Sequence, residues 1–497
     1  MRVLFLYPNL HGMNMLPPSI GLFSSILKMH NHTVELFDST NWVIPGEESF
    51  DSDKVKEKLL NARPFDDSIL RSEMHQGNVF NDFEKKIRTF GPDLIAVSVT
   101  EDIFLVGISL LKSIRHLKIP TIMGGVFPTF TPTFCLSYDE VDMICVGEGE
   151  DALVELCDRM EKGLAYDNIA NIWVKKEGVI KRNPLRSLRN LDENPLLDFS
   201  LFEESRFYRP MQGKVWKMLP VETHRGCPYQ CTYCNSPSQY KLYREETGSS
   251  YFRKKSFDIL EKEIIHFRDA YKAEAFYFWA DTFMTYTDRE FDQFVELYSG
   301  IKLPFWCQVF PDLIDEKRIK KLMRIGLFRI GTGIEHGNEE FRRNVLKRRA
   351  SNALMLEKFK ILEKCEIRFS VNNIIGFPTE TRALAMDTVE VNSHINADSV
   401  NAYSFSPFHG TPLRKMAEEL GYCKPDLIAR SATKKSLLNM PQFPPEAIEG
   451  LRRCFVLYVK MPKNRWKDIE KAERLTSEGN RIWAQLRNEC ADKYMDF

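Results

Sequence analysis

Three cysteines on one short loop carry the most specific chemistry in this chain. They stand in Thr223-His224-Arg225-Gly226-Cys227-Pro228-Tyr229-Gln230-Cys231-Thr232-Tyr233-Cys234, with three residues between the first pair and two between the second. Three thiolates this close in sequence can hold three irons of a four-iron cluster. Such clusters commonly take four cysteines, so one iron is left open for a substrate or cofactor. Zinc is the plainer alternative. A structural zinc wants four ligands, often in two CxxC-like pairs; no second pair follows at finger spacing, and His224 is too near to be an obvious fourth ligand.

A loop of this kind needs a frame. Short apolar runs at 218–224, 275–280, 304–309, 328–335, 367–375 and 398–405 alternate with helical stretches at about 255–271, 288–300, 315–325, 338–346 with 351–364, 380–395 and 411–420. Six such units fall short of the eight in a closed barrel and predict a partial (β/α)6 TIM-like barrel, with function at the carboxyl ends of its strands. The cysteine loop lies at the first such end.

The first third alternates in the same way. Strands are expected at Arg2–Tyr7, Thr33–Phe37, Asp93–Val99, Pro120–Met123 and Val141–Val146, with helices at about 19–30, 80–90, 102–117 and 149–162. Buried apolar runs bounded by turn residues predict a doubly wound parallel sheet, Rossmann- or flavodoxin-like, that binds its ligand beyond the carboxyl ends of its strands. Those ends read Tyr7-Pro8-Asn9, Asp38-Ser39-Thr40, Ser98-Val99-Thr100, Gly124-Gly125-Val126-Phe127-Pro128 and Gly147-Glu148-Gly149-Glu150. Small and hydroxyl residues there let a ligand approach the backbone, although a glycine pair is also what a tight strand–helix turn requires.

The expected organisation is a ligand-binding domain over 1–162, a connector over 163–216 with a hairpin around Glu177-Gly178, the barrel over 217–425, and a helical segment over 426–497. In that last segment helices are expected at 426–438, 445–459 and from about 467. Cys135, Cys145 and Cys157 could suggest a second cluster, but Cys145 sits inside an apolar strand and the others in helices, so all three are expected to act as small core residues. The net charge is zero, and no nucleic-acid motif stands out, so nucleic acid is not an expected partner. No apolar run approaches the roughly 18 residues of a membrane span. Eleven cysteines, an odd number, with no export signal recognised, point to a reducing cytoplasm rather than a disulfide framework.

The cysteine spacing, with the aromatic Tyr233 before the last cysteine, resembles the radical S-adenosylmethionine (SAM) superfamily. The resemblance implies a 4Fe-4S cluster on Cys227, Cys231 and Cys234 whose open iron holds SAM. It also implies an external one-electron reductant of the flavodoxin or ferredoxin type that drives cleavage to a 5′-deoxyadenosyl radical. Matching strand ends carry the family's SAM-facing positions onto Tyr233, Asp281, Gln308, Glu335, Asn372, Asn373 and Phe405. Two positions depart from the pattern: Ala280-Asp281 stands where the family has a Gly-Gly-Glu-like turn, and His336 follows Glu335 where the family has serine. Glu335 also has a purely structural reading as a salt-bridged carboxylate, and Asn372 and Asn373, being neighbours on a strand, cannot both face inward.

The first domain resembles the cobalamin-binding domain that precedes many radical SAM cores. The likeness rests on the Tyr-Pro opening, Pro17-Pro18-Ser19-Ile20-Gly21 entering a helix, and the Gly-Gly-Val-Phe-Pro and Gly-Glu-Gly-Glu turns, around an insertion at about 42–80. It implies cobalamin contacts at Tyr7, Asn9, Ser98, Thr100, Gly124, Gly125, Val126, Phe127 and Glu148. The Asp-x-His-x-x-Gly signature of a cobalt-ligating histidine is missing; Glu73-Met74-His75-Gln76-Gly77 comes nearest, with the wrong acid and glycine spacing. Together the two resemblances imply a cobalamin-dependent radical SAM enzyme, foremost a C-methyltransferase acting on an unactivated carbon of a small-molecule, natural-product or lipid substrate. Cyclisation or oxidative rearrangement without methyl transfer is the second reading, and a cluster-bearing regulatory protein without turnover the third. Cys231→Ala is expected to abolish both cluster reconstitution and reductive SAM cleavage; release of 5′-deoxyadenosine by that variant would overturn the cluster assignment.

Overall fold

The computed structural model describes residues 1–13, 15–47 and 52–495, with the side chains of residues 52 and 53 outside the description. Seven strands form the first sheet: β1 (Arg2–Tyr7), β2 (Thr33–Asp38), β3 (Leu94–Ser98), β4 (Thr121–Gly124), β5 (Met143–Cys145), β6 (Ile172–Lys176) and β7 (Val179–Lys181). Their order is β2-β1-β3-β4-β5-β6-β7. The first five run parallel, and the β6–β7 hairpin continues the sheet antiparallel. Val3, Leu4, Phe5 and Leu6 are all buried, because helices cover both faces of a parallel sheet. The chain goes from β1 outward to β2 and returns on the other side to β3. The crevice therefore opens between the ends of β1 and β3, the switch point where open α/β sheets take ligands.

The second sheet begins with β8 (Tyr208–Met211) and β9 (Lys214–Glu222). A two-residue ribbon, β10 (His224–Arg225) with β11 (Arg253–Lys254), steps out of it. Then come β12 (Ala275–Trp279), β13 (Phe305–Gln308), β14 (Leu327–Glu335), β15 (Arg368–Ile375) and β16 (Ser399–Ser404). The order β16-β15-β14-β13-β12-β9-β8 is parallel except for β8, which the sequence did not suggest and which pairs antiparallel with β9. Alternation divides the residues between two faces. Phe276, Phe278, Phe305, Cys307, Phe369, Val371 and Ile375 are buried outward under the helices. The inner face is read from the register, in which Tyr277, Trp306, Arg329 and Arg368 form one row and Trp279, Gln308, Gly331, Ser370 and Ser399 the next.

The 42–80 insertion has a structural task at the open seam between β8 and β16. Ser399 Oγ donates to the Asn61 carbonyl, the Pro64 carbonyl lies against Gly213 in the β8–β9 turn, and Gln212 reaches Asp398 just ahead of β16. At the carboxyl end, helices Pro445–Lys460, Trp466–Ala472 and Ser477–Tyr494 close the fold. Two expectations are corrected there. Residues 426–438 are not helical, because tertiary partners take their backbone groups: Ala429 N–H goes to Glu101, Arg430 C=O to Ser406, and Ala432 C=O to Ser404. The last helix is two helices, and Thr476 caps the second through Gly479 N–H. A helix at Ser236–Thr247, directly after the cysteine loop, also went unforeseen.

Gly125 shows how tightly the β4 turn is packed. Its φ is +128°, and a Cβ there would lie 2.1 Å from the Val99 carbonyl oxygen, a backbone atom of the neighbouring strand end. Gly125→Ala is expected to cost about 2–4 kcal/mol, read as a lowered midpoint in thermal or denaturant unfolding.

Candidate active site between the two sheets

The three cysteines gather at the carboxyl end of β9, all as free thiols. Burial pushes Cys227 and Cys234 up to about 12 and raises Cys231, so these thiols stay protonated until a metal displaces the protons. Among the described residues, the only three or more His, Cys, Asp and Glu ligand atoms that all lie within 4.8 Å of one another belong to His32, Asp158 and Glu161, away from the cysteine loop. Ser236 N–H donates to Cys234 Sγ at 3.4 Å. Such donors are one of the protein's means of setting a cluster's potential.

Arg348 organises the other side of the loop. Its guanidinium is buried, donates to Tyr233 Oη at 3.2 Å, lies 3.9 Å from both Cys231 Sγ and Glu335 Oε1, and bonds the Gly333 carbonyl. It also sits 3.8 Å from the centre of the Phe310 ring, on which Tyr229 stacks at 3.6 Å. Tyr229 in turn donates to Asp312. The loop is therefore pinned by a stack of rings and one cation. Burial raises the Glu335 carboxyl and Arg348 opposes it. Glu335 has φ +67° at a register shift between β14 and β15, a strained setting for a side chain. The sequence marks Arg348 only as a basic residue downstream of Glu335; the contact with the cysteine loop is long-range and invisible there.

The other expected SAM-facing residues divide. Gln308, exposed at the end of β13, and Asn372, bonded to Asn401 across the inner face, line the concavity. Asp281 accepts from Ser236 Oγ at 2.7 Å, next to the loop, and burial raises its carboxyl. Asn373 is fully buried on the outer face, exchanging amide bonds with Asn392, so its side chain does not face the concavity. Phe405 is packed against Phe377.

The N-terminal sheet faces this loop with its own carboxyl ends. Tyr7, Ser98, Thr100 and the 39% exposed Val126 remain partly open there. Asn9 is wholly buried; its amide holds Thr40 and Met13, while its Oδ1 has no partner. Gln239, one turn ahead of Tyr243 on the helix after the cysteines, likewise buries an unpartnered Oε1. Such orphaned acceptors fit a crevice that takes a polar ligand. Three of the expected contacts have protein partners of their own. Phe127 packs in the core against Phe104, within the short helix Val126–Phe130. Gly125 is packed against the Val99 carbonyl. Glu148 is tied up by Arg225 and Arg253. Gly147, at φ +78°, brings the chain so close to Tyr243 that a Cβ would lie 2.1 Å from its hydroxyl; that hydroxyl accepts from Glu148 N–H at 2.6 Å. His75 stacks on Trp42 at 3.7 Å and bonds Glu203, so it is engaged within the insertion.

Comparison with known families accords with this geometry. Residues 59–157 match the B12 binding domain and residues 221–391 the radical SAM superfamily. The chain has the architecture of the cobalamin-dependent radical SAM proteins: a B12 binding domain followed by a radical SAM core. Its cofactors are a 4Fe-4S cluster, SAM and cobalamin. An uncharacterized methyltransferase of Pyrococcus horikoshii is 25% identical over 78% of this chain and 83% of its own length. A cytidylyl-2-hydroxyethylphosphonate methyltransferase of Streptomyces wedmorensis is 21% identical over 86% of this chain and 82% of its own. The solved structure of the cobalamin-dependent SAM radical enzyme OxsB, with aqua-cobalamin and SAM bound, shares the fold at a TM-score of 0.66 and 16% identity, over 98% of this chain and 71% of that one.

His224, three residues ahead of the first cysteine, is buried with its Nε2–H donated to the Thr282 carbonyl at 3.1 Å, so Nδ1 accepts from Thr223 Oγ1. Burial lowers its pKa from 6.5 to about 4. The unfolded chain takes up this proton near 6.5 and the native chain only near 4, so stability is lost as pH falls through that window. The loss attributable to His224 is expected to reach about 3 kcal/mol, and His224→Asn should flatten it in denaturant titrations at pH 7 and pH 4.5.

Proposed function

We propose that the chain is a cobalamin-dependent radical SAM methyltransferase that alkylates an unactivated carbon of a small-molecule substrate. The observation that carries this reading is the juxtaposition of the cysteine loop and the crevice of the B12 binding domain across one interface, in a chain whose relatives over most of its length bear the name methyltransferase. When bound, the cluster and SAM supply a primary carbon radical that removes a hydrogen atom, and cobalamin supplies the methyl group.

The chain's own residues position and enclose. Arg348 keeps Cys231, Tyr233 and Glu335 in fixed relation through its bonds to each side of the loop. Glu335, with Asp281, would offer a carboxylate to the amino end of SAM, and Asn372 would offer an amide. Gly331 lies on the inner face among the side chains of Gln308, Trp306 and Ser370, which would line the substrate space. Trp279, 36% exposed on the same face, gives that space an apolar wall. The N-terminal sheet caps the concavity and limits quenching of a radical by water. A flavodoxin- or ferredoxin-type donor supplies the electron. The reducing cytoplasm that keeps all eleven cysteines free is the setting.

The test is anaerobic reconstitution of the full chain with iron, sulfide, hydroxocobalamin, SAM and a low-potential reductant. Retention of cobalamin absorption through gel filtration, together with release of 5′-deoxyadenosine, is expected. Cobalamin that washes through, or SAM that stays intact, would remove the reading. A product lacking an added CH₂ unit would replace methyl transfer with ring closure or oxidation.

A further inference from the structure

The cysteine loop is fastened at both ends to the B12 binding domain. At its start, Arg225 donates to Glu150 at 2.5 Å and lies 3.1 Å from Glu148, both in the turn that leaves β5. At its end, Asn235, next after Cys234, donates to the His409 carbonyl at 2.7 Å. His409 is gripped by Glu101, just beyond β3: the carboxylate accepts from its backbone N–H at 2.9 Å, its ring Nδ1 at 2.7 Å, and Ala429 N–H at 2.7 Å. The His409 ring packs against Phe127 and Phe134.

These contacts are more than general adhesion between domains. Glu101 is 4% exposed and Glu150 equally buried, and a buried carboxylate is tolerated only where its bonds are satisfied. Both are charge-assisted, the strong kind of hydrogen bond. Glu150 holds Arg225, two residues ahead of Cys227, and Glu101 acts through His409 on Asn235, next after Cys234; each starts from a strand end of the crevice rather than from the domain's flank. We propose that Glu101, His409, Glu150 and Arg225 are positioning residues that lock the two ends of the cysteine loop onto the ends of β3 and β5, so that the radical-forming centre and cobalamin keep one relative placement. This rests on the proposed function in one respect: methyl transfer needs both centres to reach one substrate carbon, and a misplacement of about 1 Å costs on the order of 100-fold in such steps.

Glu101→Gln and Glu150→Gln, one for each tether, test the inference in the full chain. Hydrogen exchange is read first without cofactors. Amides of 225–236 and 406–411 are expected to exchange about tenfold faster in the variants, while the protection of β12–β15 is unchanged. Next, the protein is loaded with cluster and hydroxocobalamin and reduced, and the cluster–Co(II) distance distribution is measured by pulsed EPR. It is expected to be narrow in the wild type and broadened in both variants, with substrate-free SAM cleavage held within about twofold because its residues lie in the barrel. Unchanged exchange in both variants would overturn the inference, as would an unchanged distance distribution or SAM cleavage lost in step with the broadening. If the wild type fails to bind cobalamin, the proposed function falls, and the exchange measurement still decides whether the tethers hold the loop.

Discussion

Arg225 is a cation with only 15% of its side chain exposed, and the interface between the two sheets is built around satisfying it. Glu222, Glu148 and Glu150 surround it, and Arg253 shares Glu148. Their attraction holds the Arg225 guanidinium far above its ordinary range despite burial. In a low-dielectric interior, removing one member of such a set strands the others, so the set behaves as one unit. Its geometric consequence matters more than its stability. Glu222 ends β9, Arg225 opens the cysteine loop, and Glu148 and Glu150 end the crevice of the other sheet. The charges therefore tie together the carboxyl ends of two separately wound domains, the ends at which such sheets take their ligands.

Arg348 repeats the logic on the barrel side. A short loop with three thiols has little apolar surface of its own to bury, so its conformation has to be imposed by neighbours. Stacking of Tyr229 on Phe310, the guanidinium over that ring, and bonds from Thr232 to Val345 and Leu346 do so from β13 and from the segment after β14. The cost is a strained Glu335, held where its carboxylate faces the loop. Strain of this kind persists only where the surroundings over-determine it, and the backbone at Glu335 is bounded by the bulge toward Asn373 on one side and Arg348 on the other.

Much of this was legible in the sequence where local rules operate. The apolar runs located the five first strands and the six barrel strands because burial on both faces leaves an uninterrupted hydrophobic signal, as in Val3–Leu6. The cysteine spacing left a cluster and zinc as alternatives, and its resemblance to the radical SAM superfamily pointed to the cluster. What the sequence hid were outcomes of tertiary competition. Residues 426–438 have helical composition, but their backbone groups are claimed by Glu101 and by the end of β16. Asn372 and Asn373 are chemically identical, and only strand register assigns one to the concavity and the other to Asn392. Phe127 sits in a motif that looks ligand-facing, yet an aromatic side chain beside Phe104 gains more from the core. Arg225, Glu101 and His409 carry no local pattern, since each partner lies far away in sequence.

Charge balance explains why the interface can be buried at all. Four acids, Glu148, Glu150, Glu222 and Glu263, face three cations, Arg225, Arg253 and Lys255. Full ionisation would leave one uncompensated negative charge in a region shielded from water, a cost of several kcal/mol. The carboxyls answer unequally. Glu222, held by Arg225 and Lys255, is pulled below its ordinary range, whereas burial pushes Glu148 and Glu263 above theirs. Glu263 also carries a buried oxygen with no partner, tolerable for a neutral carboxyl and costly for a charged one. The contacts run Glu148, Arg225, Glu222, Lys255, Glu263, so the lowered carboxyl lies between two cations and the raised ones lie at the ends.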